Sequence, residues 1–346
     1  MTTFHVVYTA GTTELLLPFA FSLLQSPSAR FLLVDNGCSP EESDRMRLTA
    51  NAEERFSYYR LPFDRVVRHG IALDHLFERS DESTFAIIDS DILASGDFLT
   101  ELEDRPPACG AVCTGWPVWI EDREAICGAS QPFLGGPYRT LADGTAVGGT
   151  GCAIYDRGAL QAALKTIGAG FRNRMSRSLD GGARDAFAAR GWRFTRYGTA
   201  RVAHLELVRQ GNAIVNRDCA QLHHLGGLSH TADITPRGST RKWKRTAALL
   251  MRGERSAAIN LVTNVKRRLT VEGRRQAGVY ARKKRVVMQV SAWMQSLRRG
   301  KRAEEAVPTG SAEVDTRFSL MRAALGDRYP ALCDRVRALE RPGRPD

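Results

Sequence analysis

The chain is 346 residues long with 43% hydrophobic and 25% charged residues, a globular composition with room for one large α/β domain and an appendage. No apolar run approaches the ~20 residues of a membrane-spanning helix, and the seven scattered cysteines include no C-x-x-C pair, which argues against a disulfide framework or a zinc site. The N-terminus has no basic region ahead of an apolar stretch, so we expect no signal peptide and a cytoplasmic location.

The net charge of +12 is unevenly distributed along the chain. Residues 236–302 hold twenty lysines and arginines and only two acidic residues, whereas the remainder carries a net charge of −6. The two parts are therefore expected to do different jobs. We divide the chain into an α/β domain, residues 1–230, and a basic helical extension, residues 231–346.

The first hundred residues alternate between strand and helix patterns. In chain order, the predicted strands are 4–9, 31–34, 56–61 and 85–88, and the helices between them are 13–24, 40–54 and 71–78. Ser39 is placed to cap the second helix. This alternation predicts a mostly parallel sheet, in which ligands bind beyond the carboxyl ends of the strands. Thr9, Asp35, Asp89 and Asp91 all fall at such ends.

The basic extension contains one long amphipathic pattern, in residues 281–300. An apolar stripe lies between clusters of lysine and arginine: Val286, Val290, Trp293, Met294 and Leu297. Residues 301–316 are predicted as a linker and residues 317–339 as a last helix. A solvated charged surface is the default interpretation of residues 236–302, and a helix lying on an anionic membrane surface is the sharper one. Nucleic-acid binding ranks last because no binding motif accompanies the charge.

The strongest chemical signal is the triplet Asp89-Ser90-Asp91, which directly follows an apolar strand. Both carboxylates are expected to project at the edge of the sheet. Hard oxygen ligands of this kind suit Mg²⁺ or Mn²⁺, which keep open positions for phosphate oxygens. Because Asp-x-Asp is common in turns, the triplet is informative only together with its neighbours.

Three segments taken together resemble the family 2-type glycosyltransferases, which have a GT-A fold and use nucleotide sugars. They are residues 34–38 (VDNGC), 69–73 (HGIAL) and 87–91 (IIDSD). The resemblance covers about residues 4–230. It implies metal-dependent, inverting transfer of a sugar from a nucleoside-diphosphate sugar, with a UDP-sugar as first expectation. The acceptor would be a glycan or a lipid-linked hydroxyl in polysaccharide or glycoconjugate synthesis, at the cytoplasmic face of a membrane if the extension is membrane-bound.

The same resemblance assigns roles to individual residues. Asp35 would read the base, and the residues expected to contact the nucleotide are Thr9, Asp35, His69, Asp89 and Ser90. Asp89 and Asp91 would bind Mn²⁺ or Mg²⁺, with His224 of the segment HLGGLS completing the metal shell. Gly149 and Gly151, in the segment GGTGCAIYDR, would line the sugar and acceptor site. Apart from the resemblance, Trp116 and Trp119 have the residue type that stacks on a sugar.

Asp180 is the candidate catalytic base. Leu179-Asp180, followed by Gly191-Trp192 at the family's spacing, is similar to its Glu-Asp motif, in which the aspartate deprotonates the acceptor. Leucine stands where the family has glutamate, and Asp185 is a competing carboxylate.

Simpler interpretations of these residues stay open. Asp35 could be a turn residue, Asp180 a helix cap, and Trp116 part of the core. Two other functions are open as well. A nucleotidyltransferase would need a lysine in the phosphate loop, and residues 10–13 (AGTT) have none. A non-catalytic scaffold would bind nucleic acid or membrane through the basic extension.

Overall fold

The computed structural model describes residues 1–119, 139–140, 146–192, 196–228, 271–299, 311–326 and 328–340. Most of the predicted linker and the basic residues 236–270 lie outside the described residues. The strands are β1 (Thr2–Thr9), β2 (Ala29–Asn36), β3 (Phe56–Arg60), β4 (Thr84–Asp89), β5 (Ile92–Ala94), β6 (Cys109–Thr114), β7 (Arg139–Thr140), β8 (Ala146–Val147), β9 (Cys152–Asp156), β10 (Arg174–Met175), β11 (Arg196–Tyr197), β12 (Ala213–Asn216) and β13 (Leu222–His224). The helices are α1 (Thr13–Leu23), α2 (Pro40–Asn51), α3 (His69–Arg79), α4 (Leu99–Glu103), α5 (Arg157–Ile167), α6 (Gly181–Ala189), α7 (Arg201–Arg209), α8 (Val271–Arg298), α9 (Ala312–Leu325) and α10 (Arg328–Glu340).

The main sheet has seven strands in the order β12-β6-β9-β4-β1-β2-β3. Its strands are parallel except for β9, which runs antiparallel between β4 and β6. The α/β class and the mostly parallel sheet predicted from the alternating pattern are confirmed. Because parallel strands end on the same edge, the last residues of β1, β2 and β4 come together there: Thr9, Asn36 and Asp89.

Helix α2 begins with the cap that the sequence predicts. Ser39 Oγ accepts a hydrogen bond from the Glu42 backbone amide at 3.3 Å, and Glu42 Oε2 accepts one from the Ser39 amide at 3.0 Å, which completes a capping box. The second carboxylate oxygen of Glu42 accepts from the Gly11 amide at 2.9 Å and from Thr13 Oγ1 at 2.6 Å. The start of α2 is thereby tied to the loop that follows β1 at the carboxyl edge.

The described C-terminal helices pack into the same hydrophobic core as the first hundred residues. Helix α10 lies against α1 and α2. The rings of Phe19 and Tyr329 are 5.8 Å apart, and the Tyr329 hydroxyl donates to the Leu15 carbonyl at 3.0 Å. The described part of the extension therefore packs directly against the α/β domain.

Two expectations about the extension need revision. The apolar stripe of α8, from Val286 to Leu297, is buried in that core, so it is covered by protein and is not available to insert into a membrane. The predicted helix 317–339 is two helices, and α9 begins at Ala312 within the predicted linker, where Ser311 Oγ accepts from the Val314 amide at 3.4 Å. An amphipathic period gives a helix one apolar face, but it does not tell what covers that face. Among the described helices, none is both long and apolar enough to cross a bilayer.

Candidate metal centre

The structure brings together the three residues predicted as metal ligands. Asp89 is the last residue of β4, and Asp91 directly precedes β5. His224 ends β13, which pairs antiparallel with β5 so that His224 lies opposite Ile92. One potential ligand atom from each of Asp89, Asp91 and His224 lies within 4.8 Å of the other two. The carboxyl edge of the sheet and this short ribbon together create the cluster.

The imidazole of His224 is held in one orientation. Its Nδ1 is 2.7 Å from the Gly115 carbonyl oxygen, and because a carbonyl can only accept, Nδ1 carries the proton. Nε2 then faces the carboxylates, 3.2 Å from Asp91 Oδ1 and 3.6 Å from Asp89 Oδ2. The backbone is also fixed, since the His224 carbonyl accepts from the Val118 amide at 2.8 Å. A backbone carbonyl that fixes the tautomer in this way is the usual support of a metal-binding histidine.

Gly151 makes room for that imidazole. A Cβ on Gly151 would lie 3.0 Å from His224 Cε1 and Nδ1 and 3.3 Å from the Gly115 carbonyl oxygen. The Gly151 carbonyl accepts from the Asp89 amide at 2.6 Å. Gly151 therefore contacts two of the three cluster residues, and also the carbonyl that orients His224.

The two carboxylates have different surroundings. Asp91 is buried, and its Oδ2 accepts from the amides of Gly227 and Leu228 at 2.8 and 2.9 Å. Its Oδ1 is left to face His224. The Asp89 side chain is 31% exposed. Asp91 thus orders the loop after β13, and Asp89 marks the open side of the cluster.

The three groups shift one another's pKa values. Burial alone would raise the pKa of Asp91, but His224 and the two amides outweigh it and the pKa is lowered. Burial raises the pKa of Asp89, and the charge of Asp91 adds to this against the opposing effect of His224. Burial would lower the pKa of His224, but the two carboxylates, Asp91 first, raise it. The metal-free cluster therefore tends to keep a proton that a cation would displace.

The donor set fits a divalent cation that accepts both oxygen and nitrogen. Two carboxylates and an imidazole with its lone pair turned toward them can share one ion, and the exposed side of Asp89 leaves room for further ligands. Mg²⁺ is bound mainly through carboxylates and water, so the imidazole favours Mn²⁺ over Mg²⁺.

A residue that the sequence did not single out, Lys283 of α8, reaches the loop after β13. Its Nζ is 4.8 Å from the centre of the Trp119 ring, and Trp119 Nε1 donates to the Gly226 carbonyl at 3.1 Å. A Cβ on Gly227 would lie 3.3 Å from Lys283 Nζ. In the sequence Lys283 is one of twenty basic residues in the segment 236–302, and only the packing of α8 distinguishes it.

Asp35 has the contacts of a structural residue. It is fully buried, and its carboxylate accepts from the Cys38 amide at 2.8 Å, from Ser43 Oγ at 2.5 Å and from the Tyr58 hydroxyl at 2.9 Å. Burial would raise the pKa of Asp35, but these hydrogen bonds and Arg60 hold it below its usual value. The contacts match the turn-residue interpretation, and recognition of the base by Asp35 stays a prediction.

The other predicted nucleotide contacts lie at or near the same edge. Thr9 ends β1 and is half-buried, with its carbonyl accepting from Thr12 Oγ1 at 2.7 Å. His69 is the half-buried first residue of α3. Ser90 is buried between the two metal-site aspartates. Their contacts with a nucleotide stay predictions.

The loop of residues 148–151 (GGTG) is supported by a buried histidine, His204. His204 Nδ1 lies 3.0 Å from the Gly148 carbonyl, and its Nε2 lies 2.8 Å from the Tyr155 hydroxyl. Burial lowers the pKa of His204 to about 3, so the ring is neutral. His204 thus has a structural role, and it supports the loop that carries the buried Gly149 and Gly151.

Trp116 and Asp180 have contacts that favour the simpler interpretations. Trp116 is 5% exposed, and its indole donates to the Arg217 carbonyl at 3.3 Å, as expected of a core residue. Asp180 caps α6, with Oδ2 accepting from the Gly182 amide at 2.8 Å. Within the described part of the chain, no contact joins Asp180 to the metal cluster. A sugar contact for Trp116 and a catalytic role for Asp180 stay predictions.

Several solved structures are similar to this chain. The mannosyltransferase PcManGT from Pyrobaculum calidifontis, in complex with GDP-Man and Mn²⁺, is 12% identical over 98% of this chain and 85% of its own, with a TM-score of 0.42. The galactosyltransferase LgtC with donor and acceptor sugar analogues is 13% identical over 62% of this chain and 73% of its own, at a TM-score of 0.37. The glycosyltransferase GlyE of Streptococcus pneumoniae is 12% identical over 70% of this chain and 50% of its own, at 0.34.

All three are glycosyltransferases. This is the class of enzyme that the sequence motifs resemble. No protein-family model and no curated protein sequence matches the chain. At these identities and TM-scores the similarity does not identify the reaction or the substrate. The function proposed below is therefore argued from the geometry of the site.

Proposed function

We propose that this protein is a metal-dependent glycosyltransferase that moves a sugar from a nucleoside-diphosphate sugar to a hydroxyl acceptor. The observation that carries the proposal is the orientation of His224, whose Nε2 is turned onto Asp89 and Asp91 at the carboxyl edge of the sheet. Ligands of mostly parallel sheets bind at that edge. A divalent cation bound there would neutralise charge on a departing diphosphate.

Each of the three proposed metal ligands is positioned in a different way. Asp91 is fixed by the amides of Gly227 and Leu228, so its position costs no rearrangement when a ligand arrives. His224 is fixed through Gly115. Asp89 has the more exposed carboxylate and lies on the side from which a diphosphate would approach.

Three finer statements belong to the same proposal. The metal is Mn²⁺ in preference to Mg²⁺, because Mg²⁺ is bound mainly through carboxylates and water and the cluster includes an imidazole. A UDP-sugar is the first expectation for the donor, and a glycan or a lipid-linked hydroxyl is expected as acceptor. Transfer proceeds with inversion, with Asp180 as the base that deprotonates the acceptor.

Attraction to an anionic membrane would rest on charge alone. The apolar stripe of α8 is buried, so the basic residues of the segment 236–302 would have to supply the attraction. Co-sedimentation with anionic vesicles that disappears at high salt is the expected result, and equal binding to neutral vesicles would contradict it.

The experiment offers the protein UDP-, GDP-, CDP- and dTDP-sugars with Mn²⁺ and simple sugar acceptors, and measures the nucleoside diphosphate released. We expect release from one class of donor only, lost on chelation of the metal. Asp89→Asn should abolish release, because it removes one ligand charge from the exposed side of the site. Folded wild-type protein that releases no nucleotide from any donor would contradict the proposal, as would Asp89→Asn with unchanged activity.

A further inference from the structure

Lys283 lies against the loop that positions Asp91. Its Nζ sits over the Trp119 ring and next to Gly227, whose amide donates to Asp91 Oδ2 at 2.8 Å. The side chain comes from α8, across the boundary between the α/β domain and the extension. The ammonium group of Lys283 is therefore adjacent to Gly227, which is itself hydrogen-bonded to the metal-cluster residue Asp91.

Within the part of the chain that the structure describes, no ion pair neutralises the charge of Lys283. Across the described residues, no carboxylate lies within salt-bridge distance of its ammonium group, and Asp91 acts on it only through space. Burial lowers the pKa of Lys283, and the charge of Asp91 partly restores it. Taking an ammonium group partly out of water costs free energy, so an anion bound beside Lys283 would stabilise its charged form.

The local charges suggest which anion that is. Asp89 and Asp91 would be offset by a divalent cation, so a bound diphosphate brings negative charge that the metal alone does not neutralise. Lysine is a compact point charge that binds phosphate oxygens without a fixed geometry. The Trp119 ring under Nζ keeps the flexible stem over the loop.

We propose that Lys283 is a phosphate-binding residue of the donor site, contacting the diphosphate of the nucleotide beside the metal. This inference rests on the proposed glycosyltransferase function. It follows that the C-terminal extension is part of the catalytic unit: a chain ending near residue 230 would lack this cation as well as the packing of α8 and α10.

The test compares two neighbouring lysines of α8. Lys283→Met keeps the apolar stem on Trp119 and removes only the charge, and Lys284→Met removes the same charge one position along the helix. Titration calorimetry with Mn²⁺ present measures the affinity of each variant for UDP and UMP and for GDP and GMP. Thermal unfolding without ligand establishes folding, and Lys283→Gln replaces Lys283→Met if the latter does not fold.

We expect Lys283→Met to bind the nucleoside diphosphate about 10- to 100-fold more weakly, the range for one charge-assisted hydrogen bond. Monophosphate affinity should change much less, and Lys284→Met should resemble the wild type. Lys283→Arg, which keeps the cation, should recover most of the diphosphate affinity.

Equal diphosphate affinity in Lys283→Met and Lys284→Met would overturn the inference, and so would a loss that is the same for monophosphate and diphosphate. Wild-type protein that binds no nucleoside diphosphate with Mn²⁺ would overturn the proposed function and this inference with it. The wild-type titration thus separates the two failures.

Discussion

Replacing Gly151 with alanine is a direct probe of how the metal centre is held. The added methyl carbon would lie 3.0 Å from two atoms of the His224 ring and 3.3 Å from the Gly115 oxygen. Because carbon contacts settle at about 3.5–4.0 Å, the ring has to move by about half an ångström or more. The backbone of Gly151 is not in the left-handed region, so the effect comes from the contact and not from backbone strain.

Movement of the ring weakens the hydrogen bond that fixes it. His224 Nδ1 lies 2.7 Å from the Gly115 oxygen, and losing the support of a metal-binding histidine typically costs about 10- to 100-fold in metal affinity. Overpacking of a buried site also lowers the free energy of unfolding by about 1–3 kcal/mol. We expect Gly151→Ala to show both effects.

Titration calorimetry with Mn²⁺ and urea unfolding of the metal-free protein measure these two quantities. Gly158→Ala is the matched control, because its added carbon meets only Asp156 Oδ1, at 3.4 Å, near the start of α5. That variant should bind Mn²⁺ as the wild type does and unfold at equal or slightly higher urea concentration. Wild-type affinity for Mn²⁺ in Gly151→Ala would show that the position of His224 does not depend on the space that Gly151 leaves.

Three further predictions follow from the same structure. The pKa values of Asp89 and His224 are both raised, so Mn²⁺ competes with protons for these two residues. Mn²⁺ affinity measured by calorimetry should therefore fall as the pH is lowered from about 8 to about 5.5, and binding should release protons. An affinity that does not change with pH would contradict this. Asp180→Asn keeps a good helix cap and should lower kcat by about 10²- to 10⁴-fold, whereas Asp185→Asn on the same helix should leave kcat unchanged. Equal kcat values for the two variants would show that Asp180 is not the catalytic base. Ser39→Ala should lower the free energy of unfolding by about 1 kcal/mol in urea because it removes the capping box, and an unchanged midpoint would contradict that role.

The elements of the first hundred residues could be predicted because their signals are local. Apolar runs of strand length alternate with helical periods, and Ser39 and the turn after Asp35 mark boundaries, so β1 to β4 and α1 to α3 appear where expected. Topology then places Asp89 and Asp91 at the carboxyl edge without any knowledge of side-chain contacts. His224 can be predicted only from the family resemblance, because the pairing of β13 with β5 joins residues far apart in the chain.

Burial and long-range partners could not be predicted in the same way. Asp35 has the residue type and the place of a ligand, but donors from α2 and β3 enclose its carboxylate. Trp116 has an aromatic ring of the kind that stacks on sugars, but its side chain is buried in the core. Lys283 is one of many basic residues until α8 packs against the loop after β13. Each of these outcomes depends on tertiary packing, which residue type and spacing do not specify.

The most direct test of the metal centre is the thermal unfolding of the protein with UDP, GDP, CDP and dTDP, each with and without Mn²⁺. Asp89→Asn suits this test, because the Asp89 side chain is partly exposed and its raised pKa means that its charge destabilises the metal-free protein at neutral pH. The metal-free variant should therefore unfold at or above the wild-type temperature. We expect one nucleotide to raise the Tm of the wild type only when Mn²⁺ is present. Asp89→Asn should show no such rise, and Asp185→Asn should show it. A rise that does not need Mn²⁺, one that persists in Asp89→Asn, or no rise with any nucleotide would contradict it.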